Sequence, residues 1–229
     1  MNNIKDSIQQ EGFSIVPHFF TDQYINEIIE ELDRHNALQY DKQIVYDFNL
    51  INSIPFINSL AHSKQITSLV EQVLGDNLFP VNAFVLDKTQ DNNWGLGWHQ
   101  DLKVAVKNKI ETVGYSNWTV ECGIPHAVPP KEVLEKRLSV RIHLDHCFID
   151  NGAILIAPKS HIHGIIQSET EIEKIISDEI YCEVEKGGVL FITSLLFHKS
   201  PYSTTDKKRR ILQIDYVGTE LNNGLEWYN

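Results

Sequence analysis

Two histidines and one aspartate are the residues of this sequence best suited to chemistry. His99 and Asp101 are separated by Gln100, and His198 follows much later in the chain. Two histidines and a carboxylate that bind one face of a redox metal form the facial triad of non-haem Fe(II) oxygenases. In a β-strand, residues i and i+2 point to the same side, so the pair can reach one ion while Gln100 faces away. The pattern predicts a metalloenzyme with His99, Asp101 and His198 as ligands.

A second His-x-Asp pair, His143 and Asp145, has the same spacing. It lies within an apolar stretch, where the alternation of a buried strand is enough to explain it. His99 instead follows the glycine-containing segment 94–98, which is typical of a turn that leads into a short strand. We therefore assign the metal site to the first pair.

His198 ends the apolar run 189–197, which predicts a central strand that carries the imidazole into the interior of the fold. A buried histidine is more often a core residue with satisfied ring nitrogens. Arg209 favours a functional site, because a guanidinium binds the distal carboxylate of 2-oxoglutarate in a bidentate manner better than lysine does. If residues 203–208 form a hairpin, the strand of Arg209 lies beside the strand of His198.

Arg210 and Arg141 also need an explanation. Neighbouring residues of a strand point to opposite faces, so at most one of Arg209 and Arg210 enters the interior and the other should be solvated. Arg141 lies in an otherwise apolar strand, where a buried charge requires a partner. A salt bridge to Asp145 would supply one.

Two amphipathic helices precede the strands and begin after the expected N-cap residues Thr21 and Ser63, the second ending at Gly75. Short β-rich runs begin at residue 78 and are separated by turns at 150–152 and 186–188. This order favours a mainly β fold with flanking helices, a double-sheet barrel of the jelly-roll or cupin type. The helical stripes are Ile25, Ile28, Ile29 and Leu32, then Ile66, Leu69, Val70, Val73 and Leu74, and the predicted strands are 78–88, 138–147, 153–156, 181–184, 189–193 and 211–217.

The long segment 103–136 interrupts the strand pattern near the predicted metal site. Connections of this length are commonly functional lids, and its aromatic content disfavours simple disorder. We expect a lid, with Trp98, Trp118 and His126 as candidate contacts for a substrate.

Length and composition favour one domain over 1–229, with a helical portion at 1–77 and a β core at 78–217. A net charge of −11 argues against nucleic-acid binding. The three cysteines show no motif spacing and are expected to be free thiols. Without an apolar run for a signal peptide or a membrane span, a cytoplasmic location is expected. Oligomeric state is left open.

Taken together, these residues resemble the phytanoyl-CoA dioxygenase family over about residues 10 to 217. Order and spacing both match, which makes the combination more specific than any single motif. The matching segments are Trp98-His99-Gln100-Asp101, the strand from Arg141 to Asp145, the hairpin from Asn151-Gly152 to Ser160-His161, and His198-Lys199-Ser200 followed by Arg209.

The resemblance implies a double-stranded β-helix that binds Fe(II) through His99, Asp101 and His198. It also implies that Arg209 holds 2-oxoglutarate, with Ser200 beside it. The implied reaction consumes O2, hydroxylates a small molecule and releases succinate and CO2. Because related halogenases replace the carboxylate with a small residue, Asp101 favours hydroxylation or another non-halogenating oxidation.

By the same resemblance, Arg141 contacts the cosubstrate, and Lys88 and Asn82 are weaker candidates for the same pocket. Lys159 stands where the family often has glycine, which should alter a turn and leave the chemistry unchanged. Two other functions remain open: a cupin-like metalloenzyme that needs no cosubstrate, and a catalytically silent barrel that binds a small molecule.

Overall fold

The structure is a computed structural model that describes residues 3–35 and 49–228, so part of the predicted helical portion, 36–48, lies outside the described residues. The described helices are Ile4–Glu11 (α1), Asp22–Arg34 (α2), Leu50–Ser53 (α3), Pro55–Ala61 (α4), Lys64–Leu74 (α5), Lys131–Leu134 (α6) and Glu169–Ile175 (α7), with 3-10 turns at Ile149–Asn151 and Ser160–His163.

The strands form antiparallel sheets, which together with the helices give a mixed fold. They are Phe13–Val16 (β1), Phe79–Lys88 (β2), Leu96–His99 (β3), Val104–Ala105 (β4), Ser116–Glu121 (β5), Ile124–Val128 (β6), Arg137–His143 (β7), Leu155–Ile156 (β8), Ile180–Tyr181 (β9), Val189–Thr193 (β10), His198–Ser200 (β11) and Arg209–Val217 (β12). The large sheet has the order β1-β10-β7-β12-β2, the small sheet β3-β11-β8-β9, and a third sheet β4-β6-β5.

Both predicted helices are present. The side chain of Thr21 accepts the backbone N–H of Tyr24 at 3.2 Å and so caps α2, as expected. Ser63 precedes α5 but makes no capping hydrogen bond through its side chain. Gly75 ends α5 with φ +83°, a value that favours glycine.

The helices pack on one face of the large sheet, and the alternation of its strands explains why. On β7, Val140 and Ile142 join the helices in one hydrophobic core, whereas Arg141 and His143 point to the opposite face. The large sheet therefore has an apolar outer face and a polar inner face. Its residues in the core shared with the helices are Ala83, Val85, Leu138, Val140, Ile142, Val189, Phe191, Leu212, Ile214 and Tyr216.

Several predicted strands differ from those observed. β10 has the predicted bounds, while β7 ends at His143 and β9 is limited to Ile180–Tyr181. β1 was missed, because it lies inside the predicted helical portion and is only four residues long. It pairs with β10 and forms one edge of the large sheet.

The prediction that the strand of Arg209 lies beside the strand of His198 is wrong. β12 pairs with β2 and β7 in the large sheet, whereas β11 pairs with β3 and β8 in the small sheet. The segment 201–208 therefore crosses from one sheet to the other. Sequence spacing alone cannot distinguish such a crossing from a hairpin, because a short connection suits either.

The segment 103–136 is not an irregular loop. It contains β4, the β5–β6 hairpin and α6, and Val106 forms an isolated bridge with Trp227. The hairpin turns at Cys122 and Gly123, whose φ values of +50° and +78° are both positive, as a type I′ turn requires.

All three cysteines are free, as predicted: Cys122 is exposed, whereas Cys147 and Cys182 are buried. Lys159 adopts φ +65°, a left-handed conformation that glycine would adopt without strain, in agreement with the turn expected there. In the two described ranges, no helix is both long enough and apolar enough to cross a lipid bilayer.

Candidate functional site

The structure brings the three predicted metal ligands together. His99, at the end of β3, lies directly opposite His198, at the start of β11, and Asp101 follows two residues after β3. One ligand atom from each residue lies within 4.8 Å of the other two. Nε2 of His99 is 3.9 Å, and Nε2 of His198 is 3.7 Å, from the Asp101 carboxylate. This spacing is compatible with three ligands on one face of a single ion.

Backbone hydrogen bonds set the tautomer of both histidines. Nδ1 of His99 donates to the carbonyl of Gly97 at 2.7 Å, and Nδ1 of His198 donates to the carbonyl of Leu196 at 3.0 Å. Since a carbonyl only accepts, each proton is on Nδ1 and each Nε2 lone pair is available to a metal. Burial lowers the pKa of His198 to about 3, which keeps its imidazole neutral.

Arg141 contacts two of the three candidate ligands. Its Nη2 donates to Oδ2 of Asp101 at 3.0 Å and approaches Nε2 of His198 at 3.3 Å. Burial alone would raise the pKa of Asp101, but the nearby His198 and Arg141 hold it below the ordinary value. The carboxylate is therefore ionised, as a metal ligand must be.

The predicted salt bridge between Arg141 and Asp145 is not formed. Asp145 is instead held by Arg210, whose Nε and Nη2 donate to the two carboxylate oxygens at 2.8 Å each. Arg141 points to the inner face of β7, so it cannot reach Asp145, which lies beyond the end of that strand. The expectation that Arg210 is simply solvated is also wrong, because it is partly buried in this ion pair.

Gln100 faces away from the metal ligands, as predicted. Its side-chain amide donates to the carbonyls of Gly164 and Leu195 at 2.7 Å each, and its carbonyl accepts the backbone N–H of Ile166 at 3.1 Å. These bonds tie the segment between His99 and Asp101 to two other parts of the chain.

A buried hydrogen-bonded group, the paired network, extends from Asp101 along the inner face of the large sheet. It consists of Arg137, Ser139, Arg141, Gln213 and Asp215. Nε of Arg141 donates to the Gln213 carbonyl at 2.9 Å, the Gln213 amide donates to Asp215 at 2.9 Å, and Asp215 also accepts from Arg137 and Ser139. Arg137 additionally donates to the backbone carbonyls of Asp101 and Lys103. Sequence reasoning missed this network, although polar residues at every second position of two apolar strands signal it.

At the other end of the same face, Arg209 is only 1 % exposed, and its Nε and Nη2 have no hydrogen-bond partner. Lys88 lies opposite it across β2 and β12 and is fully buried. Nζ of Lys88 donates to Oγ of Ser200 at 3.1 Å and to the carbonyl of Pro201. Among the described residues, no carboxylate forms an ion pair with Arg209 or Lys88.

Burial dominates the electrostatics of these two cations. Burial and the neighbouring positive charge of Arg209 together lower the pKa of Lys88 to about 7. Burial also lowers the pKa of Arg209, which lies beside the thiol of Cys147. The ring of Trp94 covers both side chains, 4.3 Å from Nζ of Lys88 and 5.1 Å from the guanidinium of Arg209. Two like charges in this setting favour an anionic ligand.

His143 also lies at this end of the inner face, although the alternation of a buried strand seemed enough to explain a histidine at that position. It is 1 % exposed, and its Nδ1 has no partner. Burial lowers its pKa to about 3, with Arg209 and Arg141 acting in the same direction, so the ring is neutral. A polar residue that faces the same side as Arg141 was the available sequence signal.

One cavity of about 730 Å³ joins the metal ligands to the unpaired Arg209. It lies between the inner face of the large sheet and the small sheet. Of the predicted substrate contacts, Trp98 and His126 line it, whereas Trp118 packs elsewhere. Asn82 also lines it, and its buried Oδ1 has no partner.

The sequence model of the family described as phytanoyl-CoA dioxygenase (PhyH) matches residues 8–211. Among curated proteins, a methylphosphonate hydroxylase of Gimesia maris is 27 % identical over 93 residues. That match covers 38 % of this chain and 36 % of the hydroxylase, so the chain spans only about a third of that relative.

Solved structures share the fold at low sequence identity. The epimerase SnoN from nogalamycin biosynthesis, in complex with Fe3+, alpha-ketoglutarate and nogalamycin RO, is 16 % identical with a TM-score of 0.71, covering 93 % of this chain and 82 % of that one. HygX from Streptomyces hygroscopicus, with nickel and 2-oxoglutarate bound, is 16 % identical with a TM-score of 0.67, covering 96 % and 87 %.

Proposed function

The chain belongs to the phytanoyl-CoA dioxygenase (PhyH) family, and we propose that it is an Fe(II)- and 2-oxoglutarate-dependent dioxygenase that hydroxylates a small molecule. The observation that carries the proposal is one cavity that holds both a set of metal ligands and a buried arginine without an anionic partner. A metalloenzyme that needs no cosubstrate would leave Arg209 unexplained, and a silent binding protein would leave the three candidate metal ligands unexplained.

The fold supports this assignment. We propose that the large and small sheets form the double-stranded β-helix expected from the sequence, because the structural neighbours that bind 2-oxoglutarate superpose over nearly the whole chain. We also propose a single domain over 1–229, since the helices and the large sheet share one core.

The donor set fits Fe(II). We assign His99, Asp101 and His198 as the ligands, because two imidazoles and one carboxylate are the donors of the facial triad. When bound, iron and 2-oxoglutarate would together supply the oxidising chemistry that hydroxylates a C–H bond, with release of succinate and CO2. Three side chains hold Asp101 in place for that role. Arg141 donates to its carboxylate, Arg137 donates to its backbone carbonyl, and the neighbouring Gln100 donates to the backbone carbonyl of Leu195.

Arg209 fits the distal carboxylate of 2-oxoglutarate. Its unpaired nitrogens are Nε and Nη2, the same edge through which Arg210 binds Asp145. A bidentate, charge-assisted pair with a carboxylate would satisfy both. Lys88 adds a second positive charge, and Ser200 lies beside it. Arg141 is placed between this end and the metal ligands, where it can contact the cosubstrate as well as Asp101.

The substrate is proposed to be a small molecule that enters from the side of the third sheet. Asn117, Glu121 and His126 of that sheet line the cavity, so the segment 103–136 forms its wall and would act as a lid. SnoN and HygX have been crystallised with nogalamycin RO and hygromycin B respectively, which shows that this fold accommodates small molecules.

The test is an anaerobic titration of purified protein with Fe(II) and then with 2-oxoglutarate, followed through the visible charge-transfer band of the chelate. We expect a saturable band that Arg209→Met weakens strongly. Arg210→Met is the matched control, because it removes the neighbouring arginine from the opposite face of β12 and should leave the band intact. Bound iron without a band would favour a cosubstrate-free enzyme, and absence of iron binding would overturn the metal site.

A further inference from the structure

His143 is a buried residue of the cavity that the proposed function does not use. It lies on the inner face of β7, where its register partner on β12 is Ile211. Since Arg209 and Gln213 are two residues away from Ile211 on either side, His143 lies between Arg209 and Arg141, the register partner of Gln213. The ring is therefore placed between the arginine proposed to hold the distal carboxylate and the metal ligands that Arg141 contacts.

The chemistry of the ring points to contact with a ligand. A neutral imidazole has one N–H donor and one acceptor, and Nδ1 of His143 lies near the backbone carbonyls of Arg141 and Gly188 without making a well-formed hydrogen bond. Buried polar groups that lack a partner are unfavourable, and they are uncommon unless a ligand or water completes them. The neighbouring charges that face the ring, Arg141 and Arg209, are both cationic, so an anionic ligand would be drawn to the same space.

We propose that His143 is a specificity-determining residue that limits the length of the 2-oxo acid. This inference rests on the proposed function. A 2-oxo diacid that reaches from Arg209 to the metal ligands must pass His143 with its methylene chain. The imidazole fills the space that a longer chain would need.

The experiment compares 2-oxoglutarate with 2-oxoadipate, which has one additional methylene, in the anaerobic Fe(II) titration. Quenching of the fluorescence of Trp94, which contacts both Arg209 and Lys88, gives a second measure of binding. In the wild type we expect 2-oxoglutarate to bind at least 10-fold more tightly than 2-oxoadipate. His143→Ala should reduce that preference by 10-fold or more, chiefly by improving binding of the longer acid.

Two further variants control the result. His161→Ala removes another imidazole with an unpaired Nδ1, but His161 does not line the cavity, so the preference should not change. His143→Val removes less volume and suits a β-strand, so it should shift the preference in the same direction by a smaller factor, even if the alanine variant does not fold.

The outcomes separate the two proposals. If the wild type binds 2-oxoglutarate and both His143 variants keep its full preference over 2-oxoadipate, the role of His143 is overturned while the proposed function stands. If the wild type binds iron but neither acid, the proposed function fails and the role of His143 fails with it.

Discussion

Buried charges at the two ends of the large sheet's inner face have opposite bonding states. In the paired network, Asp215 accepts from Arg137, Ser139 and Gln213, and Gln213 in turn binds Arg141. At the other end, which we call the anion-free end, Lys88, His143 and Arg209 lie together, and no described carboxylate forms an ion pair with either cation. Both ends use β7 and β12, with Lys88 of β2 added at the second, and both are buried.

The difference separates structural from functional polar residues. A buried charge that is paired with an opposite charge contributes to a defined fold, whereas a buried guanidinium without an anion is unfavourable unless a ligand supplies one. The candidate metal ligands lie next to the paired network, because Arg141 and Arg137 of that network donate to Asp101. The comparison therefore predicts which substitutions affect folding and which affect ligand binding.

The largest loss of activity is expected from substitutions at the candidate metal site. His198→Ala removes a metal ligand, so we expect loss of bound iron and at least a ~1,000-fold loss of turnover. Iron content after dialysis against Fe(II), together with succinate production, measures both. Retention of stoichiometric iron would remove His198 from the site.

In the paired network, Asp215→Ala leaves Arg137 as a buried charge without its partner. Removal of one member of a buried ion pair typically destabilises a protein by roughly 3–5 kcal/mol. Urea unfolding measures the change in the free energy of unfolding. Glu226→Ala, which breaks an exposed pair with Lys107, should leave unfolding essentially unchanged. Equal effects of the two variants would contradict the distinction.

At the anion-free end, a substitution should weaken ligand binding without lowering the free energy of unfolding. Arg209→Met removes a buried charge that has no anionic partner, so the unfolding free energy should stay constant or increase. The same variant should weaken 2-oxoglutarate binding by about 100-fold, because a bidentate ion pair is lost. Arg210→Met should instead destabilise the fold, by leaving Asp145 unpaired, and should bind 2-oxoglutarate normally. A stability loss confined to Arg209→Met would contradict this prediction.

Asp87 tests whether a buried carboxylate that lies outside the cavity and has no hydrogen-bond partner also lowers the stability of the fold when it is charged. Burial raises its pKa to about 6, and neither oxygen has a partner. Because the folded state holds this proton more tightly than the unfolded state, the stabilising contribution is present below about pH 4 and is lost as pH rises through about 6.

Asp87→Asn removes this dependence. The variant should match the wild type near pH 4 and be more stable above pH 7 by about 1–2 kcal/mol. Urea unfolding at pH 4, 6 and 8 checks the prediction. A constant difference across that range would show that Asp87 does not titrate as its burial implies.

The chemistry of this protein was readable from local sequence. The i, i+2 spacing places His99 and Asp101 on one side of the chain, and the apolar run before His198 predicts a buried strand, so residue type and periodicity sufficed. The helix that begins after Thr21 followed in the same way from its cap and its apolar stripe. The family resemblance identified from these motifs is confirmed by the match over residues 8–211.

Other features depended on which strands become neighbours, which local patterns do not encode. The sequence by itself determined the candidate metal ligands and the family resemblance, because periodicity and residue type act over a few positions. Only the tertiary structure decided that Arg209 lies in the sheet opposite His198, that Arg141 binds Asp101 and not Asp145, and that His143 enters the cavity. These pairings follow from sheet register, which brings together residues that are distant in the chain and leaves some buried cations without an anion.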